Sequence, residues 1–331
     1  MSNGRLRTTV GPGLLVLLAG CNQEQSAFAP TGAEAERINV LFWVMTIAGS
    51  LILVGVIVLS AVAICGRETL RARLSGERFI RGAGIAFPVV VLSMLLVYGF
   101  VILGAGASAP PSDNEMRFAI RGEQWWWRVT YFDADGNSFE SANELHVPVG
   151  QPVRLELTTA DVIHSFWAPR LAGKLDMIPG RINVLTITAT EEGISRGQCA
   201  EYCGGAHAFM SFHVVAQTPE DFEEWMAKES GPAVKNENER AARGRELFLD
   251  AGCGGCHTIR GTVAAGTIGP DLTHVGGRHS LAAATLPNSA GAFADWISNN
   301  QHIKPENKMP PYNIFTQSQL EDLALYLESL K

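Results

Sequence analysis

The sequence is short of charge, and shorter still of basic charge. Only 18% of its 331 residues are charged, and 26 Lys and Arg stand against 33 Asp and Glu. The deficit concentrates between Ser112 and Ser230, where 9 basic residues face 18 acidic ones, a local balance of −9 against −7 for the whole chain. That balance argues against nucleic acid as a partner and for a basic one. The chain also lacks a phosphate-cradling glycine loop, a nucleophile with a partnering base, and any cluster of histidines within an apolar segment, so it holds no substrate-converting centre of its own. Cysteine is sparse, with six in all. Cys199/Cys203 and Cys253/Cys256 form two close pairs, Cys21 follows an N-terminal apolar run, and Cys65 ends a longer one. Each pair has a His at short range, which favours metal or haem chemistry over disulfides.

Charge is absent altogether from Ile38–Ile64 and Gly84–Ala105, and both segments are long enough to span a bilayer. Pro88 is tolerated near the start of the second. Between them lies G-R-E-T-L-R-A-R-L-S-G-E-R-F-I-R, with five Arg against two Glu, and excess arginine in a short loop marks the cytoplasmic side. The two segments therefore predict a hairpin with both of its ends outside. The N-terminus agrees: Arg5 and Arg7, an apolar run from Val10 to Ala19, then L-A-G-C describe a secretory signal over 1–20. Small residues directly before Cys21 resemble a lipoprotein signal, with lipid carried on the Cys21 thiol; an ordinary signal or an uncleaved anchor is the alternative. A linker over 106–114, containing Ala-Pro-Pro-Ser, follows the hairpin.

Beyond the linker the period changes to two. In Gln151–Thr159, Val153, Leu155 and Leu157 alternate with Arg154, Glu156 and Thr158; Val184–Ala189 alternates in the same way. Turn residues at Asp135-Gly136 and Pro148–Gly150 separate such segments, and the pattern predicts an antiparallel β-sandwich over 115–229. Trp125, Trp126 and Trp127 lie near its start. Along a strand they face opposite sides, so at least one is expected to face outward. Asp221–Glu229 reads as an amphipathic helix carrying Phe222, Trp225 and Met226. The polar stretch over 230–238, with Gly231-Pro232, reads as a tether.

Two motifs carry the chemistry. Cys199 to Met210 reads C-A-E-Y-C-G-G-A-H-A-F-M, and soft sulfur with imidazole is what copper selects. One Cys suffices for a single-copper electron carrier. Two thiolates in one loop can bridge a pair of ions, which then needs a second His from elsewhere. His164, in D-V-I-H-S-F-W-A-P, is the best candidate, with Asp161 or Asp176 as a carboxylate to orient it. His146 and His213, in strand-like segments, read as structural. The second motif, Cys253-Gly-Gly-Cys256-His257, is the pattern for c-type haem attachment, with His257 as proximal ligand. Met309, in K-M-P-P-Y, is the natural distal ligand, and His274, His279 and His302 lie between the two as competitors. I-G-P-D-L after the motif resembles the class I cytochromes c, which implies that Pro270 offers its carbonyl to the other nitrogen of His257. A stripe at Leu320, Leu323, Ala324, Leu327 and Leu330, begun by a capping box at Thr316 and Gln319, predicts a closing helix over the end of 239–331.

C-x-E-x-C-x-x-x-H-x-x-M, with D-V-I-H-S-F-W and K-L-D-M-I-P-G-R before it, resembles subunit II of the cytochrome c oxidases, and the C-terminal part, with G-R-E-L-F-L-D-A-G-C before its haem motif, resembles a class I cytochrome c. Together they resemble the caa-type oxidases, whose subunit II brings its own cytochrome. The resemblance implies a two-helix transmembrane hairpin (38–105, after a short outside segment 21–37), a cupredoxin-like Greek-key β-sandwich and an all-α cytochrome c domain. It implies that Cys199 and Cys203 bridge a dinuclear copper centre completed by His164, His207, Met210 and the Glu201 carbonyl, while the Glu201 carboxylate helps to hold magnesium against subunit I. It further implies electron input at Trp125 from a cytochrome c donor, subunits I and III as partners, membrane lipid around the hairpin, and a place in a bacterial inner membrane with both redox domains on the periplasmic side. Subunit I would then reduce oxygen and pump protons. Quinol oxidases lack these copper and haem ligands, and nitrous oxide reductase lacks the anchor. A nitric oxide reductase of the same superfamily, or a free membrane-anchored shuttle, is the alternative.

Overall fold

Unbroken runs of Val, Leu and Ile offer no polar face, and they form two long helices. A computed structural model describes residues 23–106, 116–133, 136–234 and 238–331. Cys21 and the expected signal lie outside the described residues, as does the expected linker apart from Gly106. The chain forms two compact units, one of Glu36–Met116 and one that joins the residues up to Ala35 with Arg117–Lys331.

In the first unit, α1 (Ala33–Cys65, begun in the other unit) leads to the short helices α2 (Glu68–Leu74) and α3 (Glu77–Arg81), then through a π-turn at Gly82–Ala86 to α4 (Phe87–Gly106). The arginine-rich connection is thus helical rather than an open loop. Pro88 comes just after this π-turn, inside a continuous helix, where the regular hydrogen-bond ladder is already interrupted. Both α1 and the continuous stretch Glu77–Gly104 are long and apolar enough to cross a membrane, and their side chains, Leu51 and Leu96 among them, are exposed.

The larger unit begins with residues pinned to a sandwich: Thr31 N–H donates to Arg170 O, Ala33 N–H to Thr188 O and Ala35 N–H to Leu171 O. Its strands are β1 (Met116–Glu123), β2 (Trp126–Phe132), β3 (Ser138–Ala142), β4 (Glu144–Pro148), β5 (Val153–Thr159), β6 (His164–Trp167), β7 (Leu175–Met177), β8 (Asn183–Ile187), β9 (Gly193–Cys199) and β10 (Ser211–Gln217). They form two five-stranded sheets, ordered β3-β2-β1-β5-β8 and β4-β10-β9-β6-β7. The sandwich is not antiparallel throughout. β4 pairs with β10 in parallel, with His146 opposite Val215. Alternation along each strand foretells which face is buried but not the direction of its neighbour.

β5 keeps the predicted alternation, with Val153, Leu155 and Leu157 buried. Between the sheets Trp127 meets Phe166 and Phe212 edge-on at centroid separations of 5.8 and 5.1 Å, and Phe166 stacks on Phe212 at 4.4 Å. Gly197 of β9 lies so close to the Phe212 ring that a Cβ would collide with it. A helix, α5 (Pro219–Ser230), closes one end: Thr218 caps it, Phe222 is buried, and Trp225 stacks on His146 at 3.9 Å. His146 also meets Glu144 and Gln217, each at 2.8 Å, and so is structural as expected.

The C-terminal part contains α6 (Glu239–Asp250), the two-residue strands β11 (Ser280–Leu281) and β12 (Leu286–Pro287), α7 (Ala290–Ile303) and α8 (Gln317–Ser329). Phe248, Phe293, Ile297, Leu320, Leu323 and Leu327 make its core. The capping box at Thr316 and Gln319 is present. α6 crosses α8 at Gly244, where a Cβ would strike the Asp322 carbonyl, and Asp322 is held by Arg240 and Arg243 at 2.7 and 2.9 Å. Part of the expected tether is not free: Ala233 N–H donates to Arg260 O, and Arg260 Nε donates to Gly231 O.

Candidate functional site

The two ends of adjacent strands create the first site. β6 begins at His164 and β9 ends at Cys199, and the chain then loops through a 3₁₀ turn at His207–Phe209 back into β10. Backbone bonds close this loop: Cys199 N–H donates to Met210 O at 2.8 Å, Ala200 N–H to Ser165 O at 2.9 Å, and Met210 N–H to His207 O at 3.1 Å. Gly204 has φ +117, and a Cβ there would lie 2.9 Å from the Trp125 ring, so both the turn and the close approach require glycine.

The loop gathers five of the expected side chains and one carbonyl. Cys199 Sγ lies 3.7 Å from Cys203 Sγ, 3.8 Å from His164 Nδ1 and 3.2 Å from Glu201 O. Cys203 Sγ lies 3.4 Å from His207 Nδ1 and 3.8 Å from Met210 Sδ. His164 and Met210 have no exposed surface, and the two thiols are buried. The Cys203 S–H holds the Cys199 thiol down at about 4, and that same negative charge pushes Cys203 far up, so the pair carries a single charge between them. Two sulfurs, two imidazoles, a thioether and a carbonyl, all aimed inward, fit a soft cation that would draw the second proton off. The Glu201 carboxylate does not join them. It is 44% exposed and lies 3.7 Å from Lys174 Nζ.

Asp161 Oδ1 meets His164 Nε2 at 2.8 Å, and Asp161 Oδ2 accepts from the Gln124 N–H at 2.8 Å. Asp176 is paired across from Ser165 rather than at the imidazole, and meets Lys174 at 3.4 Å. Of the two carboxylates only Asp161 orients the ligand-type His.

The second site is a cavity of about 450 Å³, of cofactor size. Cys253, Cys256, His257, Pro270, Met309 and Leu323 line it. His257 Nδ1 donates to Pro270 O at 2.8 Å, which leaves Nε2 as the ring nitrogen for a metal. Burial pushes His257 down, keeping the imidazole neutral. Gly269 makes room for it: a Cβ there would lie 2.5 Å from His257 Cε1. The donors and the space fit a c-type haem. His274 lies elsewhere, its Nε2 3.2 Å from Gly231 O, and neither it nor His279 nor His302 lines the cavity.

The same cavity is lined by Gln124, Trp125, Trp126 and Arg128 of the sandwich. Alternation predicts at least one indole facing outward, yet none of the three is exposed, Trp125 included. Trp125 is 6% exposed, and its indole N–H donates to Cys203 O at 3.0 Å. Trp127 is in the core, and Trp126, half-buried, lies under the Arg128 guanidinium at 4.7 Å. The C-terminal domain covers the surface on which a separate donor was expected to dock.

Sequence reasoning missed the residues that make this contact. Gln124 Nε2 donates to Cys203 O at 2.8 Å. Lys304, 3% exposed, donates from its ammonium to Trp125 O at 2.6 Å, Phe209 O at 2.8 Å and Ala282 O at 3.1 Å. Burial pushes Lys304 down to about 7, with the neighbouring Cys203 pulling the other way. The only signal for it was its place in K-P-E-N-K-M, five residues before Met309.

Comparison with known proteins agrees with both sites. Residues 133–217 match the family described as "Cytochrome C oxidase subunit II, periplasmic domain", and residues 241–331 match "Cytochrome c". Cytochrome c oxidase subunit 2 of Alkalihalophilus pseudofirmus is 30% identical over 96% of this chain and 95% of its own length. The chain belongs to the cytochrome c oxidase subunit 2 family. Cytochrome c oxidase subunit 2 of Bacillus subtilis is 29% identical over the same shares of each chain. Among solved structures, the periplasmic domain of subunit II of cytochrome oxidase of Bradyrhizobium japonicum is 33% identical, covering 37% of this chain and 96% of its own, with a TM-score of 0.34. As a subunit 2, the chain is part of a haem–copper oxidase, an oxidoreductase, and combines two apolar N-terminal helices, a cupredoxin-like copper domain and a helical cytochrome c domain. Its partner is subunit I, and its redox domains are those of a membrane-anchored periplasmic assembly.

Proposed function

We propose that this chain is the electron-input subunit of an oxygen-reducing, proton-pumping oxidase, and that its copper domain receives electrons from its own cytochrome domain. When bound, a copper pair and a c-type haem supply two one-electron carriers in series. The carrying observation is Trp125. It lines the cavity of Cys253, Cys256, His257 and Met309, and its N–H bonds the carbonyl of Cys203.

Each residue has a role that its surroundings support. Cys199, Cys203, His164, His207, Met210 and the Glu201 carbonyl would hold the copper pair, which would supply a one-electron carrier there. Asp161 holds the His164 ring with Nδ1 toward the sulfurs. The buried thiols and thioether keep water away, so little solvent must reorganise when charge changes. Cys253 and Cys256 would attach the haem, and His257, through Nε2, and Met309 would be its ligands, a pair that raises a haem's potential. The exposed Glu201 carboxylate faces away from the sulfurs, as a magnesium ligand at the boundary with subunit I requires. With Trp125 covered, a cytochrome c donor delivers its electron to the cytochrome domain and not to the copper loop. The protein sits in the bacterial inner membrane, with subunit III as a further partner.

The test is turnover of the complex that copurifies with this chain from its native membrane. It is given an artificial reductant and offered oxygen or nitric oxide in separate runs. Rapid oxygen consumption is expected. Nitric oxide turnover with negligible oxygen use would keep the relay but give it a different acceptor.

A further inference from the structure

Two segments of the copper domain and one of the cytochrome domain converge on one ammonium group, which a further segment of the cytochrome domain carries. Lys304 Nζ has three protons to donate and three carbonyls to receive them, from Trp125, Phe209 and Ala282. Phe209 lies in the copper loop and Trp125 against it; Ala282 is at the tip of the β11–β12 hairpin. Every donor is satisfied, and the acceptors come from both domains.

The hairpin tip supplies a second, independent observation. Ala282, Ala283 and Ala284 have φ of 53, 62 and 56, a run of left-handed backbone without a glycine. Such a run persists only where its surroundings hold it. Here they are the copper loop: Ser211 N–H donates to Ala283 O at 3.3 Å, and Thr285 Oγ1 lies 3.4 Å from Phe209 O. Beside Lys304, the Glu306 carboxylate lies against Gly205, and Lys308 Nζ is 3.5 Å from Asp161 Oδ2. The segment that carries Met309 therefore also grips the copper domain at three places, two of them in the copper loop. Further out, the His279 N–H donates to Glu144 at 2.8 Å and Arg128 donates to Thr267 O at 2.8 Å.

We propose that Lys304 is a positioning residue that locks the cytochrome domain onto the copper loop, so that electron transfer within the chain occurs in a preformed complex rather than by repeated encounters of a tethered domain. This rests on the functional reading above and adds to it. Lys304 contacts neither cofactor's ligands. It acts by tying the backbone beside Trp125 and Phe209 to the hairpin that walls the haem cavity, and its burial makes the tie costly to break, since an ammonium freed of one carbonyl keeps its desolvation without its full compensation.

Lys304→Met in the full chain, loaded with haem and copper, is the test. Amide exchange is expected to rise at Phe209–Phe212 and Leu281–Thr285 and to stay slow in α6 and β9. Haem and copper spectra are expected to be unchanged, which separates this inference from the ligand assignments: their absence from the unmodified chain would sink the functional reading instead. After photoreduction of the haem, one electron leaves the iron and one arrives at copper, with no proton moved. That transfer is expected to slow about tenfold or more, as the domain reverts to the effective concentration its tether allows. Direct chemical reduction of copper should keep its rate. Should the variant not fold, the unmodified chain decides through solvent viscosity. A locked domain transfers at a rate independent of added glycerol, whereas a tethered one slows in proportion. Unchanged exchange in the variant, or a viscosity-dependent rate in the unmodified chain, overturns the proposal.

Discussion

Asp161 holds His164 by its Nε2 at 2.8 Å, and so turns the other ring nitrogen toward Cys199 Sγ, 3.8 Å away. The carboxylate is itself fixed by the N–H groups of Gln124 and Val162, each at 2.8 Å. Orientation of the imidazole is thus built into the turn that precedes β6. Asp161→Asn preserves the shape and removes the charge that makes the ring a better ligand. Copper affinity is expected to fall about 10- to 100-fold, as loss of such a supporting carboxylate generally does. Copper per chain, followed through dialysis against graded chelator, measures it; haem content serves as the internal control.

Cys203→Ser removes one bridging sulfur and leaves the haem cavity's own side chains untouched. The spectrum of a paired, electron-sharing copper centre should vanish from the paramagnetic resonance while haem remains attached. Loss of both would mean that the two domains do not load independently.

Met309→Ala removes the thioether, and none of His274, His279 and His302 lines the cavity to replace it. The sulfur-to-iron charge-transfer band at the red edge of the oxidised spectrum should disappear. Its survival would show that another residue binds the iron.

Gly269→Ala puts a Cβ 2.5 Å from His257 Cε1, and the ring can move only by giving up its bond to Pro270 O. Overpacking of this kind costs about 1–3 kcal/mol. A lower melting temperature of the cytochrome domain, together with a shifted Soret band, is the expected outcome.

Glu144 is a pH probe of the contact between domains. Burial alone would raise it, but hydrogen bonds from His146 and from the His279 N–H, with the charges of both rings, hold it below its ordinary 4.5. A carboxyl lowered by folding contributes stability that is complete above its unfolded value and is lost as pH falls through the folded one. Melting profiles between neutral pH and about pH 3 should therefore steepen below 4.5, and Glu144→Gln should flatten that acid limb. An identical limb in the variant would assign the acid loss to other groups.

Much of the site was legible because its ligands are close in sequence. Cys199, Cys203, His207 and Met210 occupy twelve residues between two strands, and no other donor pattern in the chain rivals theirs. His257 and Pro270 were legible as a pair for the same reason, since spacing within one short loop leaves few conformations. His164, 35 residues away, was chosen as the second imidazole that a two-thiolate loop needs, and it required the sandwich to bring the start of β6 beside the end of β9. The outward indole expected among Trp125, Trp126 and Trp127 is not found, since none of the three is exposed. Period two reveals that neighbouring indoles face opposite sides, but not that a second domain covers the outer one.

The sequence by itself determined the parts: two uncharged spans, an alternating sandwich, a copper loop and a haem motif. Each follows from local periodicity or from donors within a few residues of one another. Only the tertiary structure decided the parallel pairing of β4 with β10, the selection of Asp161 over Asp176, and the seating of the cytochrome domain on the copper loop. These depend on contacts between residues far apart in the chain, such as the 179 positions between Trp125 and Lys304. A buried ammonium meeting three carbonyls from three segments leaves no pattern in any one of them.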